Sequence, residues 1–213
     1  MYYLLNIMMM WKSIKYPISF AFFGLLVSSC FQSDYTKLVK SELAKGVRQD
    51  SLLLGIRFGD TQNDFFGKCY DLNRAGTVYE GSGAGVVRYP LMDSMFHNKP
   101  TDIRFLFKPD YDEKQVISQM VYDISYSGWA PWNKDLQSDS LKPKVIKLLM
   151  NWYKGNEFIP VEVEGEDLLV KVDGNRRMLV YIFDTQTVVV KIQDLLNPMF
   201  APSVDSKHKR AKG

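Results

Sequence analysis

Two side chains in the middle of the chain, Cys69 and His97, have the chemistry of a nucleophile and a general base. Such a pair also needs a third group to orient the base, and none is identifiable in the sequence. Cys69 falls on the apolar stripe of a predicted helix, which favours a buried structural thiol. The histidines, His97 and His208, and the one cysteine left besides Cys30 are too few for a zinc site of the usual spacing. The sequence therefore predicts no catalytic residue, no metal and no cofactor.

Acidic residues gather in two stretches where they could bind calcium or assist hydrolysis. Asp110, Asp112 and Glu113 could share a calcium ion, but the stretch lacks the glycine and the other acidic positions of an EF-hand, so a solvated turn is favoured. The second group alternates with valines, as in a strand with one face in water. Its members are Glu162, Glu164 and Glu166. A carboxylate pair for hydrolysis is the alternative interpretation.

A glycine-rich run resembles a phosphate-binding loop: Gly81-Ser82-Gly83-Ala84-Gly85. A phosphate loop is followed by a lysine and a helix, and neither follows here. Glycines also supply the positive φ angles that a tight β-hairpin turn needs, so the run predicts a hairpin between two strands.

Aromatic residues are concentrated in Tyr126-Ser127-Gly128-Trp129-Ala130-Pro131-Trp132, a stretch too rich in turn formers to be regular. Tyr126, Trp129 and Trp132 could close the open end of a sheet as part of the core, which is the favoured interpretation. Alternatively they form a loop that stacks on a sugar or seats side chains of a partner.

The first 30 residues have the charged, apolar and small-residue zones of an export signal. Lys12 and Lys15 precede an apolar run over residues 16–27, which as a helix spans roughly 18 Å and is too short to cross a bilayer. Val27-Ser28-Ser29-Cys30 resembles the lipobox of bacterial lipoproteins at all four positions. The resemblance implies cleavage before Cys30 and attachment of lipid to its thiol, and two or three acyl chains make such an anchor effectively permanent.

The residues after Cys30 bear on location in the envelope. Phe31, not aspartate, follows Cys30, which favours the outer membrane over the inner one, and the acidic run typical of surface display is absent. We therefore expect a lipid-anchored protein on the periplasmic side of the outer membrane. Its expected partners are the membrane, through the lipid on Cys30, and an envelope protein or glycan.

A second resemblance lies in Ile56-Arg57-Phe58-Gly59-Asp60-Thr61 followed by Phe65. It is similar to the glycine, hydrophobic and threonine entry to the first helix in small outer-membrane assembly lipoproteins of the SmpA type. Those proteins usually have methionine where Asp60 stands, and this chain is longer and richer in strands. Neither the fold nor the assembly role of that family is carried over.

Composition favours one globular domain, with 46% hydrophobic and 24% charged residues. Removal of residues 1–29 leaves 25 basic and 24 acidic residues, a balance that argues against nucleic acid as a partner. We predict a signal peptide over 1–29, a lipidated N-terminus and tether over 30–50, one domain over 51–198 and a basic, disordered tail over 199–213.

Hydrophobic periodicity predicts helices separated by groups of strands. The first, over residues 35–48, is a short amphipathic helix or a tether with helical tendency. The second follows Thr61 as its N-cap, with Asp64 three residues later in a near capping box, and ends over residues 73–76. The third covers residues 141–153. The strands are Leu52–Phe58, the two arms of a hairpin over Thr77–Pro90, Asp102–Lys108, Lys114–Ser127, Ile159–Val163, Leu168–Val172, Met178–Phe183 and Val188–Ile192. A turn is predicted at Pro109-Asp110-Tyr111-Asp112.

This order predicts an α+β fold with antiparallel sheet and two principal helices packed on one face. Because helix and strands follow each other twice, a duplicated helix-plus-strands unit is left open. The predicted function is binding or scaffolding in the cell envelope, and the alternative is an envelope hydrolase acting through carboxylates.

Overall fold

A computed structural model describes residues 34–91, 103–163 and 166–201. The described residues form three α-helices and one eight-stranded antiparallel sheet, which confirms the predicted α+β class. The helices are α1 (Asp34–Ala44), α2 (Gln62–Arg74) and α3 (Ser138–Trp152). The strands are β1 (Tyr79–Glu80), β2 (Val87–Tyr89), β3 (Ile103–Tyr111), β4 (Ile117–Tyr126), β5 (Ile159–Val163), β6 (Glu166–Asp173), β7 (Arg176–Ile182) and β8 (Thr187–Asp194).

The sheet has the strand order β1-β2-β3-β4-β8-β7-β6-β5. Strands β1 to β4 form one meander and β5 to β8 a second, and the two join where β4 pairs with β8. Each meander follows a helix, α2 or α3, so the order of one helix and four strands occurs twice. The centre of the sheet therefore consists of β3, β4, β8 and β7.

Helix α2 begins as its sequence predicts. The hydroxyl of Thr61 accepts the Asp64 N–H at 3.2 Å, and the Asp64 carboxylate accepts the Thr61 N–H at 2.9 Å, which completes a capping box. Phe65 is fully buried one turn further on, and Cys69 and Leu72 pack against the same hydrophobic cluster.

The main core combines alternate residues of the sheet with apolar residues of α2 and α3. Phe105 and Phe107 on β3 and Tyr122 on β4 are almost completely buried in it. Helix α3 contributes four fully buried side chains to the same cluster: Leu141, Val145, Leu148 and Leu149.

Helix α1 packs against the other set of alternating residues at the β6 end of the sheet. Val39 forms a second cluster with Val170 and Val172, which alternate along β6 with residues of the opposite face. The carboxylate of Glu42 accepts the backbone N–H of Gly174 at 3.0 Å and the Asn156 side-chain amide at 2.8 Å. These contacts attach α1 to the β6–β7 turn.

The predicted strand over Leu52–Phe58 is wrong. Leu54 and Gly55 have φ angles of 54° and 81°, and the Ile56 N–H donates to the Leu53 carbonyl at 3.0 Å. The chain therefore makes a tight turn, and its apolar side chains enter the core from a loop. The alternation of leucines resembles that of a strand because both arrangements bury apolar residues.

The predicted turn at Pro109–Asp112 is also wrong, since β3 continues to Tyr111. Strand β2 ends its pairing with β3 at Phe107, so the missing N–H of Pro109 removes no hydrogen bond on that side. The turn follows at Asp112, whose carbonyl accepts the Gln115 N–H at 2.9 Å. Strand β4 accordingly begins at Ile117, not at Lys114.

Candidate functional site

The sheet face opposite the main core carries a cleft of about 390 Å³ across β3, β4, β8 and β7. Within the described residues, α1 covers this face only near β6 and β7. Charged residues line the cleft: the cations Arg104, Lys108 and Lys191, and the carboxylates of Asp123 and Asp184. The glycine-rich turn after β1 brings Ser82 to its rim, so the predicted hairpin contributes to the site.

Strand register explains how residues far apart in sequence meet here. Asp123 on β4 lies between Leu106 of β3 and Val189 of β8. Arg104 and Lys108 are two positions either side of Leu106, and Lys191 is two positions beyond Val189. All of them therefore point to the same face as Asp123, on the diagonals around it, where neighbouring positions are about 7–8 Å apart.

The three cations lie around Asp123 but do not approach it to ion-pair distance. Among the described residues, no nitrogen of these cations lies within the 4.0 Å of an ion pair with Asp123. Arg104 donates one hydrogen bond, from Nε to the Ser125 hydroxyl at 3.2 Å. Lys191 lies over the Tyr181 ring at 5.6 Å from its centroid. Most of the N–H groups of Arg104, Lys108 and Lys191 are thus available to an anion.

Asp123 is the one residue of β4 that is not buried, and it is still half-buried. Burial raises the pKa of its carboxyl group above the ordinary 3.8, against the opposing attraction of Lys108, Arg104 and Lys191. The carboxylate is therefore only partly neutralised by the cations around it.

Apolar groups form the floor and one wall of the cleft. Val121 and Val189 are 8% and 6% exposed, and lie between the charged side chains. Phe183, just after β7, is 70% exposed, and Tyr181 stands beside it. A ligand that combines an anionic group with an apolar or aromatic group fits such a surface.

The three aromatic residues of the stretch around Tyr126 lie in different environments. Tyr126 is 3% exposed in the main core, where its hydroxyl accepts a hydrogen bond from Lys144 at 2.9 Å. Trp129 is half-buried and donates from its indole nitrogen to the Thr185 carbonyl at 3.1 Å. Trp132 is 85% exposed, so the packing expected of this stretch holds for Tyr126 and not for Trp132.

Cys69 lies on the wall of a second groove, of about 580 Å³, between α2 and the β1–β2 hairpin. Burial raises the pKa of its thiol to about 11, which opposes formation of a nucleophilic thiolate. His97, the base that could have activated this thiol, lies outside the described residues, as do His208 and Cys30.

Of the predicted acidic groups, Asp110 and Asp112 take part in local structure. Asp110 accepts a hydrogen bond from Gln119, and Asp112 accepts the N–H groups of Lys114 and Val116 in the β3–β4 turn. Glu113 and Glu162 are exposed, and Glu164 lies outside the described residues. In the part of the chain that is described, no three histidine, cysteine or acidic side chains are grouped so that they could hold a metal ion.

The cleft itself is absent from the sequence predictions. The sequence signal is a charged residue between apolar neighbours within a strand: Asp123, the one charged residue of β4, and Lys191, between Val190 and Ile192 in β8. Pairing of β4 with β8, which are separated by three strands in sequence, is needed to bring these residues together.

Comparisons with protein-family models, curated proteins and solved structures find no match for this chain. None of the helices in the described ranges is both long and apolar enough to cross a membrane.

Proposed function

We propose that this protein is a lipid-anchored component of the bacterial cell envelope that binds a partner through the cleft around Asp123. The lipobox-like Val27-Ser28-Ser29-Cys30 supports attachment through lipid on Cys30, on the periplasmic side of the outer membrane. Binding, as opposed to catalysis, is supported by one observation above all. Three cations with available N–H groups surround the carboxylate of Asp123 in an apolar-floored cleft, and the carboxylate of Asp184 lies at its rim.

The face of the sheet is better suited to binding than its edges. Strand β1 has only two residues, and β5 carries the exposed Pro160, which has no N–H to donate. Short edges and edge prolines oppose the addition of a strand from another chain. A partner is therefore expected on the cleft, where charge and apolar surface are combined.

Lipid attachment is tested by growing cells with an alkyne analogue of palmitate. The wild-type chain and Cys69→Ser should incorporate the label, whereas Cys30→Ser should not. Label retained by the Cys30→Ser variant would contradict the proposed anchor.

Partner binding is tested by placing a photoreactive phenylalanine analogue at one of three exposed aromatic positions. Phe183 lies in the cleft, Trp132 in the aromatic stretch, and Phe66 in the groove beside Cys69. Irradiation of intact cells should give a discrete crosslinked species from position 183 alone. A species formed from position 132 or 66 and not from 183 would assign binding to another surface.

The second candidate function, hydrolysis by carboxylates, is favoured by the presence of Asp123 and Asp184 in the same cleft. Burial raises the pKa of Asp123; burial also acts to raise that of Asp184, but hydrogen bonds from Gln186 and Thr187 outweigh it and lower the pKa. One acid and one carboxylate with separated pKa values are what such hydrolysis requires. Release of reducing sugar from purified peptidoglycan, lost in both Asp123→Asn and Asp184→Asn, would favour the hydrolase over the binding protein.

A further inference from the structure

The cleft around Asp123, of about 390 Å³, holds three cations that form no ion pair with a carboxylate of the described chain. The cations of the cleft are near enough to influence Asp123 but outside ion-pair distance. Within the described ranges, no residue accepts a hydrogen bond from Lys108 or Lys191. Asp123 is thus a counter-ion that neutralises the cleft in part and does not occupy its donors.

From this geometry we infer that the cleft holds a side-chain carboxylate of an acidic peptide segment of the partner, and that Asp123 takes up a proton as this carboxylate enters. The incoming carboxylate replaces Asp123 as counter-ion of Arg104, Lys108 and Lys191. The proton comes from solvent and relieves the repulsion between two carboxylates in one site. This inference rests on the proposed function, because it names the ligand class of the same cleft.

All the charged groups that face Asp123 take part in this exchange. Arg104 and Lys108 come from β3, Lys191 from β8, and Asp184 lies at the rim after β7. With Asp123 ionised, three positive charges meet two negative ones. With Asp123 protonated, one entering carboxylate restores the same balance of charge without a second carboxylate beside it.

A peptide carboxylate fits better than a phosphate or a lipid headgroup. A dianionic phosphate is repelled more strongly by Asp123 than a single carboxylate is, but the three cations also attract it more strongly, so the preference comes from the apolar contacts. The apolar floor at Val121 and Val189 and the exposed ring of Phe183 can contact the side chain next to an acidic residue in a peptide. Lipid headgroups at a bilayer surface offer no such apolar neighbour to a recessed cleft.

The experiment uses the lipidated mature chain in non-ionic detergent and a capped peptide, Gly-Glu-Phe-Glu-Phe-Gly. Calorimetric titration at pH 7.5 and pH 5.5, in two buffers of different ionisation enthalpy, gives both affinity and proton uptake. Glutamate in the peptide stays largely ionised over this range because its pKa is about 4.3. We expect the wild-type chain to bind more tightly at pH 5.5 and to take up a fraction of one proton.

Asp123→Asn should bind the peptide several-fold more tightly at pH 7.5, with no pH dependence and no proton uptake. Asp139→Asn, an exposed carboxylate on α3, is the matched control and should behave as the wild type does. Lys108→Ala with Lys191→Ala should weaken binding at least tenfold, and their thermal unfolding checks that the chain still folds.

Three outcomes would overturn the inference. The first is equal binding of the glutamine analogue of the peptide. The second is peptide binding whose affinity and proton uptake are unchanged in Asp123→Asn. The third is binding of inorganic phosphate or phosphatidylglycerol vesicles in preference to the peptide. In each case a crosslink from position 183 in cells would still uphold the proposed function, so the two failures are distinguishable.

Discussion

Asp123 on β4 and Lys191 on β8 occupy diagonal positions across the strand pair at the centre of the sheet, and no ion pair within 4.0 Å joins them. A carboxylate and an ammonium group placed this way attract each other through partly desolvated surroundings, but neither satisfies the other's hydrogen bonds. The cleft is therefore charged, apolar at its floor, and incompletely paired.

Replacement of Asp123 by asparagine should raise stability near neutral pH. The pKa of Asp123 is raised in the folded protein, so its ionised carboxylate lowers the free energy of unfolding above that raised pKa. Below pH 3.8, the ordinary pKa, the carboxyl group is protonated in both states and has no such effect. The melting temperature of Asp123→Asn should exceed that of the wild type at pH 7, and the difference should shrink as pH falls through the raised pKa toward 4. A lower melting temperature for Asp123→Asn at pH 7 would show that attraction to the cations outweighs burial.

Replacement of Glu42 by glutamine should weaken the attachment of α1. Burial acts to raise the pKa of Glu42, but hydrogen bonds from Gly174, Lys45 and Asn156 and the charge of Lys45 outweigh it, so the pKa is lowered. The contribution of Glu42 to the free energy of unfolding is therefore full above pH 4.5, the ordinary pKa, and is lost as pH falls through the lowered pKa. We expect Glu42→Gln to lower the free energy of unfolding at pH 7 by about 1.5–3 kcal/mol in urea denaturation.

The matched control for Glu42 is Lys45→Ala, which removes only the ion pair. Lys45 is 55% exposed, so its loss should cost less than about 1 kcal/mol. Equal losses in the two variants would mean that the charge of Glu42 does not strengthen its hydrogen bonds with Gly174 and Asn156.

Gly174, in the turn between β6 and β7, should be the more sensitive of two glycines with similar backbone angles. Its φ is +56°, and a Cβ there would lie 2.2 Å from the Val47 carbonyl oxygen. Gly46 has φ +64° and no atom within 4 Å of such a Cβ. Gly46→Ala should cost about 1 kcal/mol and Gly174→Ala about 3 kcal/mol or more by chemical denaturation. Similar costs would show that the segment at Val47 moves freely away from the turn.

Cys69 should be unreactive in the folded chain. With a pKa of about 11, only about one thousandth of its thiol is ionised at pH 8, and the thiolate is the reactive form. In the Cys30→Ser chain, alkylation by iodoacetamide at pH 8 should be at least tenfold slower than after unfolding in urea. Equal rates in the two states would contradict the assignment of Cys69, which is half-buried, as an unreactive structural thiol.

Local sequence signals are sufficient for much of the fold. The Thr61–Asp64 capping box starts α2 as predicted, and Ile159–Val163 is a strand at the predicted residues. The turn at Leu54 could not be predicted because leucine rarely adopts a positive φ, so the residue type does not indicate a turn. The role of Asp123 escapes it because its surroundings arise only when β4 pairs with β8, a contact between two meanders that no local pattern encodes.

The measurement that tests the central claim most directly is photocrosslinking from position 183 in cells that carry three substitutions in the cleft. Arg104→Ala, Lys108→Ala and Lys191→Ala are introduced together. The control triple, Lys134→Ala, Lys147→Ala and Lys154→Ala, removes as many exposed charges outside the cleft. We predict that the cleft triple reduces the crosslinked species at least tenfold at equal protein level, whereas the control triple leaves it at the wild-type amount. An undiminished crosslink in the cleft triple, or an equal loss in the control, would contradict binding through the cleft around Asp123.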